Sequence, residues 1–111
     1  MVLPENGCLL RIFIGESDKV DGKPLYQRLV EEARSGGLAG ATVWRGMMGY
    51  GANSRIHTSK IMRLSQDLPV IVEIVDERGK LEAFLEKVDS LIKVGLATLE
   101  EAQVHFYRSN Q

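Results

Sequence analysis

Apolar runs and alternating patterns divide the chain into short extended segments. Residues 9–14 form an apolar run between two glycines, and residues 68–75 are nearly all apolar. Residues 39–44 form a third run, and apolar and polar side chains alternate from Ala102 to Tyr107. Runs of this length, bounded by turn-forming residues, predict four β-strands.

Two further segments carry apolar residues at helical spacing. The first begins at Pro24, ends at Gly36-Gly37 and has a stripe made of Leu25, Leu29, Val30 and Ala33. Asp76 is a candidate N-cap for the second, which we expect to end at Gly95. Its stripe consists of Leu81, Phe84, Leu85, Val88, Leu91 and Ile92. Both patterns are typical of amphipathic helices that cover a sheet.

The order β-α-β-β-α-β predicts an α+β fold, a ferredoxin-like sandwich with two helices on one face of a four-stranded antiparallel sheet. Right-handed crossovers bring the turn after the first strand, a long loop over residues 45–65 and the segment after the second helix to one end. With 111 residues, the chain forms a single domain, residues 1–111.

Strand alternation assigns the sheet residues to two faces. Those expected to face the helices are Leu10, Ile12, Ile14, Val70, Val72 and Ile74, and those expected on the other face are Leu9, Arg11, Phe13, Ile71, Glu73 and Val75. A sheet face in contact with water is normally more polar than this second set. Either the alternation is loose or another subunit covers this face, and we favour an oligomer in which Arg11 and Glu73 pair.

Composition narrows the classes of function. The formal net charge of −1 gives no support for a nucleic-acid partner, and Cys8 is the single cysteine, so a cysteine-based zinc site is excluded. No apolar run approaches the ~20 residues of a membrane span. The first residues lack the pattern of a signal peptide. We therefore expect a cytoplasmic protein.

The loop that follows the second strand combines glycines with basic residues. Its glycines follow the pattern G-x-x-G-x-G, which matches neither common phosphate-binding motif. They serve either as a bulge or hinge, or as a close approach for a ligand phosphate. The basic residues are Arg45, Arg55, Lys60 and Arg63, with no acid before Asp67. This cluster indicates either a solvated loop or an anionic ligand.

Catalytic and metal chemistry have little support in the sequence. Glu16, Asp18 and Asp21 are close in sequence, but no nucleophile or ordered histidine accompanies them. The two histidines, His57 and His105, have no cysteine or local carboxylate partner. We predict no catalytic residue and no metal ligand within a subunit, and a metal site shared between subunits stays open.

Four blocks of sequence resemble a known family. They are "LLRIFIGESDKVDGKPLY", "GLAGATVWRGMMGYG", "SRIHTSKIMRLSQDLPVIVEIVD" and "GLATLEEAQV", and they span residues 9–104. They closely resemble domain-of-unknown-function family 190, an uncharacterised bacterial and archaeal family related to the nitrogen-regulatory PII signalling proteins. The PII resemblance implies a homotrimer that binds adenine nucleotides between subunits. It also implies a flexible loop after the second strand that senses the ligand and docks on a protein target.

The sequence departs from PII proteins in two segments. The lysine-rich phosphate-binding loop before their last strand is replaced by "KVGLATLEEAQV", whose single lysine is Lys93. No tyrosine lies between Gly51 and Leu68, so the tyrosine modification of some PII proteins has no acceptor. We therefore expect neither nitrogen sensing nor an ammonium-channel target.

These patterns together predict a regulator that binds ADP, AMP or ATP as an effector, without a cofactor. The resemblance places Thr42, Gly49, Tyr50 and Gly51 near the nucleotide cleft and Glu73 and Val75 on the adjoining strand, and we include Val75 in the predicted site. Arg45 and Arg55 offer forked donors for phosphate, and His57 completes the predicted set. The alternatives are a metal-responsive trimer resembling the divalent-cation tolerance proteins and an enzyme acting on a small phosphorylated substrate.

Overall fold

Backbone pairing assembles the apolar runs into one sheet with two small hairpins beside it. A computed structural model of the chain describes residues 6–51, 57–58 and 67–110. Its elements are β1 (Asn6–Gly15), β2 (Lys19–Val20), β3 (Lys23–Pro24), α1 (Leu25–Ser35), β4 (Thr42–Arg45), β5 (Met48–Gly49), β6 (His57–Thr58), β7 (Pro69–Asp76), α2 (Arg78–Val88), a 3-10 turn (Asp89–Leu91) and β8 (Leu96–Gln103). The main sheet has the order β4-β7-β1-β8 with every pair antiparallel, and β2-β3 and β5-β6 form the hairpins. This is the predicted ferredoxin-like topology.

The core lies between the two helices and one face of the sheet. All six sheet residues predicted to face the helices are at most 6% exposed, and the helices add Leu25, Leu29, Ala33, Leu81, Phe84 and Val88. The alternating predictions for β1 and β7 are confirmed, because these two central strands bury every second side chain. Burial of such side chains is the main driving force for this arrangement.

Helix α1 ends at the predicted glycine pair. The N–H of Gly36 donates to the carbonyl of Glu32 at 2.9 Å, and Gly37, with a φ of +79°, donates to Arg34 at 3.1 Å. Leu38 donates back to the carbonyl of Ala33 at 3.1 Å. A left-handed glycine satisfies the last carbonyls of a helix in this way, and the chain then turns toward β4.

The predicted fourth strand, residues 102–107, is wrong. The strand is β8, which pairs with β1 from Leu96 to Gln103. It is an edge strand whose side chains are mostly exposed, with only Leu99 and Ala102 half-buried, so it lacks a clear alternation. Residues 104–110 form no strand.

Two predicted boundaries of α2 are also wrong. Asp76 is the last residue of β7, and Glu77 is the N-cap without a side-chain cap bond. The helix ends at Val88, and the 3-10 turn follows it, so Gly95 lies beyond its end. Gly95 instead packs against β1: an added β-carbon would lie 2.8 Å from the carbonyl oxygen of Phe13. A close backbone approach, and not a helix stop, therefore requires this glycine.

The turn after β1 meets the root of the long loop, as predicted. The N–H of Glu16 donates to Leu68 at 2.8 Å, and the N–H of Gly46 donates to the carbonyl of Pro69 at 2.7 Å. A β-carbon on Gly46 would lie 2.8 Å from the Pro69 ring, and one on Gly49 would lie 3.1 Å from it. Packing against Pro69 therefore explains these two glycines without a ligand. Most of the predicted flexible loop, residues 52–56 and 59–66, lies outside the described residues.

Candidate functional site

The sheet face opposite the helices carries a large apolar surface. Leu9, Phe13, Ile71 and Val75 are half-buried there, which confirms the predicted division of the faces. On the outer strands Trp44 is 56% exposed and Leu96 is 58% exposed. The register places both on this open face, because Trp44 is opposite Ile71 and Leu96 is opposite Phe13.

A polar ladder crosses the open face and links all four strands. Arg11 Nε donates to Glu73 Oε2 at 2.9 Å, as predicted, and Arg11 Nη1 donates to Glu100 Oε1 at 2.7 Å. The indole N–H of Trp44 donates to Glu73 Oε1 at 2.9 Å. The charges on this apolar face are thus paired and hydrogen-bonded, which limits the cost of covering them.

The ladder makes Glu73 sensitive to acid. The hydrogen bond from Arg11, together with the one from Trp44, holds the pKa of Glu73 below its ordinary value. A lowered folded-state pKa stabilises the fold above the unfolded-state pKa of about 4.3, and this contribution is lost as the pH falls through the folded-state value. Urea unfolding of wild type and Glu73→Gln should therefore differ at pH 7, and the difference should narrow as the pH falls below about 4. A gap that stays constant over this range would contradict the prediction.

A cavity of about 500 Å³ opens on this face, where β4 begins and β7 ends. Its floor is formed by Leu9, Glu73 and Val75, and Thr42 with the preceding residues 39–41 forms one wall. The opposite wall is the end of β8 and the segment after it, residues 102–107. This volume is in the range of small-molecule sites, which combine apolar walls with a few polar groups.

The structure divides the predicted nucleotide residues into two groups. Thr42 and Val75 line the cavity. Arg45 lies at the other end of β4, where its guanidinium donates to Glu16 Oε2 at 2.7 Å and is 64% exposed. Tyr50 is 70% exposed. Gly49 packs on Pro69, and Gly51 has open space around it.

The last two predicted site residues cannot be placed, and the cavity has lining residues that were not predicted. Arg55 and the side chain of His57 lie outside the described residues. The cavity also involves Ala39, Gly40 and the segment from Val104 to Tyr107, none of which we assigned to the site. The alternation from Ala102 to Tyr107 was the available signal, and we interpreted it as a strand.

The described part of the chain shows neither a metal-binding cluster nor a membrane-spanning helix. Within residues 6–51, 57–58 and 67–110, no group of three histidine, cysteine or acidic side chains is placed to hold a metal ion. No described helix is long and apolar enough to cross a membrane.

A hydrogen bond to the side chain of Asp76 fixes one wall of the cavity. Asp76 is fully buried, its Oδ2 accepts from the N–H of Ala39 at 2.9 Å, and its Oδ1 accepts from the N–H of Glu77 at 2.7 Å. The carbonyl of Ala39 accepts from the hydroxyl of Tyr107 at 2.7 Å. The buried carboxylate of Asp76 therefore holds Ala39 in place, and Ala39 in turn binds Tyr107 from the opposite wall of the cavity.

Comparisons with known proteins agree with this architecture. The family DUF190, described as "Uncharacterized ACR", matches residues 7–104. A UPF0166 protein of Aquifex aeolicus is 46% identical over 96 residues, which cover 86% of this chain and 90% of that protein.

Solved structures show the same fold at low sequence identity. CPII, a nitrogen regulatory PII-like protein from Thiomonas intermedia K12 bound to ADP, AMP and bicarbonate, is similar with a TM-score of 0.68 and 15% identity, covering 89% of this chain and 88% of CPII. CutA from Synechococcus elongatus is similar with a TM-score of 0.59 and 11% identity, covering 92% of this chain and 81% of CutA. The fold is PII-like, and the chain belongs to the DUF190 family.

Proposed function

We propose that this protein is a PII-like regulator that binds an adenine nucleotide at the open-face cavity and has no catalytic chemistry of its own. The observation that carries the proposal is the cavity of about 500 Å³ that contains Thr42 and Val75. The PII resemblance places Thr42 near a nucleotide cleft and Val75 on the strand beside it. The nucleotide would act as an effector in the cytoplasm, and a protein target would read its presence through the long loop.

The shape and chemistry of the cavity suit a flat base. Leu9 and Val75 supply apolar surface for its faces, while the hydroxyl of Thr42 and the carboxylate of Glu73 can accept hydrogen bonds from it. The carboxylate is already oriented by Arg11 and Trp44. Side chains that are held in place before binding reduce the loss of conformational entropy that binding must offset.

Strand β4 connects this cavity to the root of the loop. Thr42 and Arg45 are the first and last residues of β4, three residue steps or about 10 Å apart at the rise of a β-strand. Their side chains start on opposite faces of the sheet, because Thr42 is opposite Glu73 and Arg45 is opposite the buried Val70. A nucleotide is an elongated ligand, so its base can occupy the cavity while its phosphates extend along this edge strand to its end, where the long Arg45 side chain can reach round the edge of the sheet. Its binding would then favour one conformation of the loop, in the manner of a population shift.

Two further findings support the proposal. CPII shares the fold and was solved with ADP and AMP, although only 15% of its residues are identical. The apolar open face, with Trp44 and Leu96 more than half exposed, is suited to burial between subunits of a homotrimer. Sedimentation should therefore give a trimer at micromolar concentration, and a monomer there would contradict this assembly.

The test is a calorimetric titration of ADP, AMP, ATP and adenosine into folded wild-type protein and into Thr42→Val. This variant keeps the β-branched shape and removes only the hydroxyl. If the hydroxyl bonds the base, all ligands should bind about two- to tenfold more weakly to the variant. No heat with any adenine ligand in wild type would overturn the proposal. A response to divalent cations alone would favour the metal-responsive alternative.

A further inference from the structure

The segment after β8 crosses the open face of the sheet and is attached at two points. We name residues 104–107 the C-terminal strap. At its start Val104 packs over Gly7, where an added β-carbon would lie 3.3 Å from Val104 Cγ2. At its end the hydroxyl of Tyr107 donates to the carbonyl of Ala39 at 2.7 Å. Between these points His105 and Phe106 line the cavity and are exposed to solvent.

The two attachments differ in strength. Val104 is half-buried and directly follows β8, which is paired to β1 as far as Gln103. Tyr107 is 46% exposed. One hydrogen bond joins it to the opposite wall, and water can compete for this bond. The strap should therefore open at its Tyr107 end while its Val104 end stays in place.

The wall that receives Tyr107 is held by a hydrogen bond to a buried side chain. Its anchor, Ala39, is fixed from the other side by the fully buried carboxylate of Asp76. A bond to a charged acceptor in a buried setting is strong and well oriented. Opening of the cavity thus depends on the tail and not on movement of β4 or of the preceding turn.

We propose that Tyr107 is a positioning residue that closes the C-terminal strap over the open-face cavity and thereby sets how fast a ligand leaves it. For the identity of the ligand this inference rests on the proposed function. The closure itself is a property of the ligand-free chain. It requires that breaking the Tyr107–Ala39 bond frees the strap without unfolding the sheet.

The first experiment uses trypsin on the ligand-free full chain. Cleavage after Arg108 requires the residues just before it to leave the open face and enter the protease as an extended segment. The cleavage rate therefore reports the fraction of molecules with an open strap, provided that opening is fast. Loss of residues 109–111, followed by intact-mass spectrometry at early times, should be about two- to tenfold faster in Tyr107→Phe. The matched control Tyr26→Phe removes a tyrosine hydroxyl from α1, on the other side of the sheet, and should cleave at the wild-type rate.

The second experiment measures dissociation of ADP and of adenosine by stopped flow. Tyr107→Phe should release both ligands about two- to tenfold faster, since the strap covers the cavity and not the phosphate end. An equal tryptic rate in Tyr107→Phe and wild type would overturn the closure. Equal release rates, with faster cleavage, would overturn its role in ligand exchange. If neither ligand binds wild type, the proposed function fails, and the tryptic rate still decides whether Tyr107 closes the strap.

Discussion

Replacing Asp76 by alanine should lower the free energy of unfolding by roughly 2–6 kcal/mol, because two backbone donors lose their acceptor and each orphan costs about 1–3 kcal/mol when buried. The donors are the N–H groups of Ala39 and Glu77, which the carboxylate of Asp76 accepts at 2.9 and 2.7 Å. The same change should loosen the wall that holds Tyr107. Urea unfolding at pH 7 gives the difference in free energy.

Two comparison variants make this result specific. Asp76→Asn keeps one acceptor oxygen but turns an amide donor toward the second N–H, so it should be destabilised to an intermediate degree or as much as the alanine variant. Glu86→Ala removes an exposed acid from α2 and should change stability by no more than about 0.5 kcal/mol. A loss below about 1 kcal/mol in Asp76→Ala would mean that water replaces the carboxylate, and the wall would not depend on it.

The sequence predicted the parts of the fold in which burial imposes a period. Residues of β1 and β7 alternate between the core and the open face, so their pattern predicts both the strands and the pairing of Arg11 with Glu73. The stripe of α1 was predicted for the same reason, whereas the glycines that end it were predicted from their access to left-handed backbone. In each case one side of the element is fully buried and the other is not.

The parts that were missed lack such a period. Strand β8 forms because its backbone completes the unpaired edge of β1, and backbone pairing leaves no pattern in the side chains of an exposed strand. The alternation from Ala102 to Tyr107 belongs to a segment that lines a cavity. Asp76 resembles a helix cap in sequence, but one of its carboxylate oxygens accepts from Glu77 and the other from Ala39, which is 37 residues away. Only the path of the chain brings these residues together.

The candidate site was predicted in outline for a different reason. Thr42 and Val75 were assigned through the family resemblance, and both line the cavity. Spacing in the sequence could not predict that Arg45 lies at the far end of β4 from the cavity, or that the C-terminal strap supplies a cavity wall. Gly49→Val is not a usable test of phosphate approach at the root of the loop. This variant would press on the Pro69 ring, since even a β-carbon would lie 3.1 Å from it, so a loss of binding could not be assigned to the ligand.

Arg45→Ala is the sharper test of the phosphate end, and it should weaken ADP binding by about tenfold or more. A charged hydrogen bond to phosphate contributes about 1.5–3 kcal/mol, and 1.4 kcal/mol corresponds to a factor of ten. In the ligand-free chain the guanidinium donates to Glu16, and at 64% exposure it can exchange this partner for a phosphate oxygen. Loss of the Arg45–Glu16 pair should cost the fold about 1–3 kcal/mol, since the Glu16 side chain is only 20% exposed and is left without its charged partner.

The matched control is Arg34→Ala, which removes the same charge from the last turn of α1. It separates a contact of Arg45 from a general loss of electrostatic attraction, which both variants share. Calorimetric titration should show that Arg45→Ala weakens ADP about tenfold more than Arg34→Ala does, while adenosine binds both variants like wild type. If the two variants lose ADP affinity equally, Arg45 does not contact phosphate. If adenosine is weakened as strongly as ADP, Arg45 acts on the cavity that holds the base, and the extended placement of the nucleotide along β4 is wrong.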